Sequence, residues 1–439
     1  MLVVGGIIGT GIFLSPAVVA QRVGTAPLTL MAWGLGAVVA MIGGFVYAEL
    51  GARRPLAGGT YVYLREAFGP LPAFLYGWAL FLIIGSGAMA AVAIVGAGYL
   101  SALLGWPDSA IKPFAAIVVL ALTLLNILGV RAGATTGNIL TVLKLAAIAT
   151  LVLVALFMTP AHDITASAAA VPLLTQPQGG VAIALAMGAA LVPVLFSFGG
   201  WQQTNAVAEE LINPTRTLPR AMIGGVGIVS AAYVLVTAAY LRALGVAGLA
   251  NSTAPAADAM YVYLGAPGRT FIAIGIVIST IGFLNMVILL SARVFQAMAA
   301  DGLFFARMAA LHPVTRTPVV ALIGQAGVVL LLMMTGTYGQ LLDYVVFGDF
   351  IFFGGTAAAL FVLRARDRKA GTAYTSVRVP LHPFSTIIFI GASLYVVFGS
   401  IMSNPGNAMR GMALLAAGVP VYWYWQRQRN AASSTPTHL

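Results

Sequence analysis

Apolar residues run along this chain in long unbroken stretches, and the polar residues between them are few. Pro27 to Ala48 and Pro70 to Pro107 contain no charged residue at all. The hydrocarbon core of a bilayer takes about 20 apolar residues of helix. Twelve such segments are predicted, near 1–21, 27–49, 70–104, 113–130, 137–158, 181–206, 219–242, 270–298, 317–335, 340–363, 383–403 and 407–426. A membrane β-barrel would instead alternate polar and apolar residues over runs of about ten. The expectation is an all-α membrane protein with 12 transmembrane helices.

The polar positions set the orientation, because loops rich in Lys and Arg stay on the cytoplasmic side. With the N-terminus inside, 16 cations fall on the cytoplasmic side, among them Arg53, Arg54, Arg216, Arg220, Arg293, Arg364 and Arg366. The outer side receives 5, namely Arg22, Lys112, Arg242, Arg269 and Arg410. One cation, Lys144, is left inside a span. Losing one helix midway would invert every later loop, so the asymmetry supports the count. A multi-pass protein of the plasma (inner) membrane with both termini cytoplasmic is expected.

Composition narrows the class. Of 439 residues only 22 are Lys or Arg and 11 Asp or Glu, where a soluble protein of this length would carry roughly 110 charged side chains. Mean hydropathy is +0.98. The net charge of +11 would suggest nucleic acid in a soluble chain, but that needs dense basic patches facing water, so no nucleic-acid partner is expected. Cysteine is absent, which excludes disulfides, thiolate nucleophiles and Cys-based metal sites. His162, His312, His382 and His438 all lie between or after apolar runs. No enzyme activity, metal or cofactor is expected.

Two segments are interrupted. Glycine inside a helix costs about 1 kcal/mol relative to alanine, yet the first segment packs Gly5, Gly6, Gly9 and Gly11 into seven positions, followed by Pro16. The sixth carries Pro193 and then Phe196-Ser197-Phe198-Gly199-Gly200-Trp201. Small residues also let membrane helices approach closely, which would account for either segment alone. The pair points further, because segments 1 and 6 open two five-helix sets and leave 11 and 12 over. Interrupted segments at corresponding places in two halves mark a transporter site built on an inverted repeat. Unwound backbone at membrane depth is tolerated only when it is buried or lines a cavity. There it offers free N–H groups and a positive helix end to an anion, and carbonyls with a negative helix end to a cation. An α-amino acid, with carboxylate and ammonium one carbon apart, matches both.

The residues also carry a resemblance. Gly6-Ile7-Ile8-Gly9-Thr10-Gly11-Ile12-Phe13 resembles the first-helix motif of the amino acid, polyamine and organocation permeases. Tyr47-Ala48-Glu49-Leu50-Gly51 through Pro55, Gly58-Gly59 and Tyr61 is similar to their signature at the end of helix 2. Phe196 to Trp201, then Glu209-Glu210 and Asn213-Pro214, is similar to helix 6 of the L-type amino acid transporter branch and its bacterial relatives. The likeness continues through Ala300-Asp301-Gly302 and Phe347-Gly348-Asp349. It implies a LeuT-type core of two inverted repeats, 1–158 and 181–363, two peripheral helices in 383–426 and a cytoplasmic tail at 427–439.

The resemblance further implies that Ile8, Gly9, Thr10 and Gly11 offer backbone groups to a substrate carboxylate, while carbonyls around Phe196 and Phe198 meet the ammonium. Phe196 takes the place of an aromatic gate. Gly199 and Gly200 would bound the side-chain pocket, with Trp201 and Gln202 nearby. Lys144 on helix 5 falls where sodium-coupled relatives hold an ion, which implies a sodium-independent carrier. Without cysteine, the disulfide link to a glycoprotein partner found among animal relatives cannot form.

Remaining polar residues have structural alternatives. Lys144 lies about 10 Å into its helix, from where a long side chain can snorkel to the interface; buried, it would bridge helices 1 and 8 and could carry a proton. Asp349 is a proton carrier, a tuner of side-chain selectivity, or a partner for a hydroxyl. Glu49, Glu209 and Glu210 sit at cytoplasmic helix ends near Arg53, Arg54, Arg216 and Arg220; Glu210 is expected to be a plain solvated end. Ser279, Asn285 and Asn126 are expected to bond neighbouring helices, although Ser279 is also a candidate for coupling.

The first residues lack the positive region of a cleavable signal, so the first helix is expected to stay. Met1 lies only eight residues before Gly9, about 12 Å of helix, a short inner half for an element that swings open in this fold. The reading is a secondary transporter of neutral α-amino acids, as exchanger or proton-coupled symporter. The alternatives are a cationic amino acid or polyamine carrier and a non-transporting receptor or scaffold of the same fold. No oligomeric state is read from the sequence.

Overall fold

A computed structural model describes residues 1–162, 177–336, 338–371 and 377–433. His438 and the tail from residue 434 lie outside them. The described residues form helices and connecting loops with no strand, and each of the twelve apolar segments is helical. Among the described residues nine helices are long and apolar enough to cross a membrane, and Gly11–Val23 and Val319–Thr335 are shorter apolar ones. This is an all-helical membrane protein.

The helices are α1 (Leu2–Ile7), α2 (Gly11–Val23), α3 (Ala26–Arg53), α4 (Thr60–Phe68), α5 (Pro70–Ala79), α6 (Gly85–Leu104), α7 (Ile111–Ile127), α8 (Val130–Phe157) and α9 (Gly180–Ser197). After the 3₁₀ segment Trp201–Glu210 follow α10 (Pro214–Asn251), α11 (Pro255–Ala300), α12 (Val319–Thr335), α13 (Tyr338–Lys369), α14 (Phe384–Ser403) and α15 (Pro405–Ser433). A π turn, Leu80–Ile84, joins α5 to α6. Two long helices break at glycines with positive φ: α10 at Gly245 (φ 65°) and α11 at Gly265 (φ 63°). The last helix runs to Ser433, past residue 427, the expected start of the tail.

Burial separates centre from periphery. In α5–α6 and α11 the apolar windows are 83% and 72% buried, against 28% in the helix containing α7 and 22% in α14. A helix that is apolar all round and buried belongs to the middle, and the exposed Ile117, Leu120 and Leu124 of α7 form a lipid-facing stripe. The interrupted segments cross in the centre. α1 packs on the 3₁₀ segment, and α2 packs on α9. α3 packs on α10, and α6 on α11.

One end is tied by charge. Glu49, at 0% exposure, accepts from Arg53 Nε (2.9 Å), Arg364 Nε (2.8 Å) and the Val379 N–H (2.7 Å). Asp367 pairs with Arg54 at 2.7 Å and also with Arg53. Asp301, at the end of α11, accepts from Tyr61 at 2.7 Å and pairs with Arg65 on α4. Burial and the Asp301 carboxylate push the Tyr61 phenol up from its ordinary value, so it remains a donor. A buried carboxylate is tolerated only when paired and hydrogen-bonded, and removing one partner of a buried pair costs about 3–5 kcal/mol. Glu49→Ala should therefore lower the melting temperature of detergent-purified protein by many degrees, while Glu209→Ala, at an exposed site, should leave it unchanged.

Candidate functional site

The two breaks meet in backbone contact. α1 ends at Ile8 (φ −74°, ψ 92°), and the Gly9 N–H donates to Ile7 O at 2.9 Å, a three-residue turn of the inverse γ kind. α2 begins afresh at Gly11 after Thr10. In the sixth segment α9 ends at Ser197, and the Gly199 N–H donates to Phe196 O at 2.9 Å. Gly200 then takes φ 104°, a region that side chains rarely adopt. A Cβ on Gly200 would lie 2.1 Å from Gly6 O. Glycine is required there by both conformation and space.

Each break leaves a helix end with unused backbone groups. At the C-terminal end of α1 the carbonyls accept a cation supplied by the protein: Lys144 Nζ lies 2.9 Å from Gly5 O and 2.6 Å from Ile8 O. Lys144 is fully buried, so it does not snorkel. Ser279 Oγ is 3.3 Å from Ile8 O, and Tyr233 Oη is 3.2 Å from Ile7 O. Helices α8, α10 and α11 thus all hold the first break. Asn126 bonds Asn285 at 2.9 Å across α7 and α11.

Between the breaks lies a cavity that gives the centre of a water-sized sphere about 40 Å³, room for a few waters or a small solute. Gly9, Thr10 and Gly11 line it from the first break, and Phe196, Gly199, Gly200 and Gln203 from the second. Ile84 of the π turn, Ala88 and Val92 of α6, Phe283 of α11, and Val345, Asp349, Phe350 and Phe353 of α13 complete the wall. Thr10 Oγ1 is buried and makes no hydrogen bond among the described residues. Asp349 forms no ion pair among the described residues. It is the only carboxylate among the described residues of the lining.

Other expected site residues stand back from the cavity. Phe198 is buried against Trp33 and Tyr233, with ring centroids at 6.0 and 5.1 Å. Trp201 stacks behind Phe353 at 5.5 Å and meets Tyr47 edge-on at 4.9 Å. Gln202 Oε1 accepts the Gly200 N–H at 2.9 Å, holding the turn. Ile8 acts through its carbonyl, which Lys144 and Ser279 occupy. Glu210 is not a plain solvated end: it pairs with Arg293 of α11 at 2.7 Å. Tyr233, Gln203 and Phe283 carry no local sequence signal, because their roles come from contacts between distant segments.

The amino acid permease profile matches residues 1–422, and the chain belongs to that family. It is 32% identical over 98% of its length to the serine/threonine exchanger SteT of Bacillus subtilis, covering 96% of that protein. It is 32% identical over 97% of its length to the large neutral amino acids transporter small subunit 2 of Mus musculus, covering 80% of it. A b(0,+)-type amino acid transporter 1, also from Mus musculus, is 28% identical over 92% of the chain and is covered to 81%. The family and these relatives are transporters, not enzymes.

Proposed function

We propose that this protein is a sodium-independent secondary transporter that exchanges small neutral α-amino acids across the membrane by alternating access. The observation that carries this reading is the cavity built by both backbone breaks and walled by Phe196. The substrate carboxylate would take the N–H groups at the start of α2 together with the Thr10 hydroxyl, and the ammonium the carbonyls at the end of α9. The side chain would point toward Gly199, Gly200 and Asp349. Phe196 would close over the bound solute. No charged side chain is needed for the zwitterion itself, in keeping with helix-end recognition of substrate groups at broken helices.

Twelve spans with the termini inside, arranged as repeats 1–158 and 181–363 plus two outer helices, fit the packing of segment 1 on 6, 2 on 7 and 3 on 8 across a central axis. Sodium independence is supported by Lys144, whose ammonium already fills the carbonyl pair that a free cation would use. The small cavity favours substrates of the size of alanine, serine or threonine, and the name of the bacterial relative, a serine/threonine exchanger, agrees with that. Asp349 supports a second reading, a cationic amino acid or polyamine as substrate, or a proton as the coupled ion.

The test is uptake of labelled alanine, serine or leucine into proteoliposomes, with and without unlabelled amino acid inside, at two pH values, with sodium present or absent. Stimulation by internal substrate and indifference to sodium are expected. Competition by arginine or putrescine would favour the second reading, and stimulation by an inward proton gradient would replace exchange with symport. Binding by thermal shift with no counterflow would leave a receptor of the same fold. In the same assay Asp349→Asn should shift the ranking of competitors by about tenfold, the effect expected of one buried polar contact to a substrate side chain, and keep exchange of alanine.

A further inference from the structure

A second, smaller cavity lies beside the first on the side of the 3₁₀ segment. It gives a water-sized centre about 10 Å³, close to the minimum for one water. Gly58 walls it from the loop before α4, Thr60 from the first turn of α4, Leu80 from the π turn, Gln203 and Ala206 from the 3₁₀ segment, and Ser291 from α11. Gln203 also lines the first cavity, so its side chain belongs to both walls. Among apolar neighbours such as Leu80, Leu290 and Val294, the wall carries the polar side chains of Thr60, Gln202, Gln203 and Ser291, the partners a buried water needs. Gln203 Oε1 and Ser291 Oγ are both buried with no hydrogen bond to the described protein, and Ser291 is 1% exposed. A buried polar atom left without a partner destabilises the fold unless something meets it.

Just past this cavity on α11, Arg293 pairs with Glu210 at the end of the 3₁₀ segment (2.7 Å) and reaches Arg316 O at 3.3 Å. Arg293 is 8% exposed and Glu210 is exposed, so the pair ties the buried side of α11 to the surface end of the 3₁₀ segment. Order along the 3₁₀ segment is thus substrate cavity, Gln203, second cavity at Ala206, and the pair at Glu210. The residues step from the membrane centre toward one face.

We propose that the second cavity is a polar station on the route between the substrate cavity and the cytoplasm. It holds one water on Gln203 and Ser291 while the Arg293–Glu210 pair is closed, and passes the amino acid when the 3₁₀ segment parts from α11. This rests on the transport reading for what passes, but the route itself can be followed without knowing the solute. The alternative route runs past α1, on the side where Gly5 lies against Thr141.

The natural absence of cysteine makes the test direct. Ser291→Cys, Ala206→Cys and Thr141→Cys are each introduced singly, checked for monodispersity, and exposed in inside-out vesicles to a trimethylammonium-ethyl methanethiosulfonate. Ala206→Cys covers the case in which Ser291→Cys does not fold. Labelling at 291 or 206, accelerated roughly fivefold by adding Glu210→Ala, the scale of one modest ion pair, is the expected result. Labelling at 141 alone would place the route past α1 and overturn the proposal. No labelling at 291 or 206, with or without Glu210→Ala, would make the second cavity a sealed structural water site and overturn it equally. Failure of the transport reading would show separately, as absent exchange in liposomes, while the Glu210-dependent labelling would still report the path.

Discussion

Gly200→Ala is expected to bring amino acid exchange close to background. Its Cβ would lie 2.1 Å from Gly6 O, a distance no side chain tolerates, and its φ of 104° adds backbone strain of about 1–3 kcal/mol. The two breaks would have to separate, taking the N–H groups around Gly11 out of register with the carbonyls around Phe196. The loss should be at least about tenfold, since 1.4 kcal/mol already gives that factor. Exchange in proteoliposomes measures it. Gly224→Ala, on α10 with nothing within 4 Å of the added carbon, is the matched control and should retain exchange. Equal rates for the two variants would mean that the contact between the breaks has no part in transport.

Lys144→Met should be nearly as severe. Methionine keeps much of the apolar stem but leaves Gly5 O and Ile8 O without the ammonium that now lies 2.9 and 2.6 Å away. Two buried carbonyls deprived of a charged donor lose about 1–3 kcal/mol each, enough to loosen the end of α1. Exchange should fall about tenfold or more while the protein still elutes as a single species. Lys144→Arg should not restore it, because a planar guanidinium cannot replace a compact ammonium between two converging carbonyls. Unchanged uptake by Lys144→Met would remove Lys144 from the transport cycle and reduce it to a packing residue.

The parts of this architecture readable from the sequence were those written locally. Four glycines in seven positions, matched by a second interrupted segment in the other half, point to a broken helix, and an uncharged stretch as long as Pro70 to Pro107 has few alternatives to a span. Lys144 was legible as a cation inside a span, but only its carbonyl partners decide between snorkelling and burial. Which face a residue presents was less legible. Phe196 and Phe198 are two apart in one motif, yet only the first reaches the cavity, and the second turns to Trp33 and Tyr233. In an unwound stretch no helical period sets that choice. Apart from Lys144, whose link to the first helix came from the resemblance, specific pairings across the chain were hardly legible. Glu210 meets Arg293, 83 positions away, rather than the nearer Arg216 or Arg220, because the 3₁₀ segment lies along α11.

The contact of Gly6 with Gly200 has a mechanical consequence. Two rods that touch at their joints, with no side chain between them as a cushion, cannot hinge independently. Displacing either one by more than a few tenths of an ångström must drag or detach the other. The degrees of freedom at the centre are therefore fewer than two kinked helices would suggest, and the pair behaves as one linkage with a shared pivot. A solute seated against one kink is felt by both, and an inhibitor shaped to wedge the two carbonyl-lined turns apart would freeze the whole linkage rather than one of its arms.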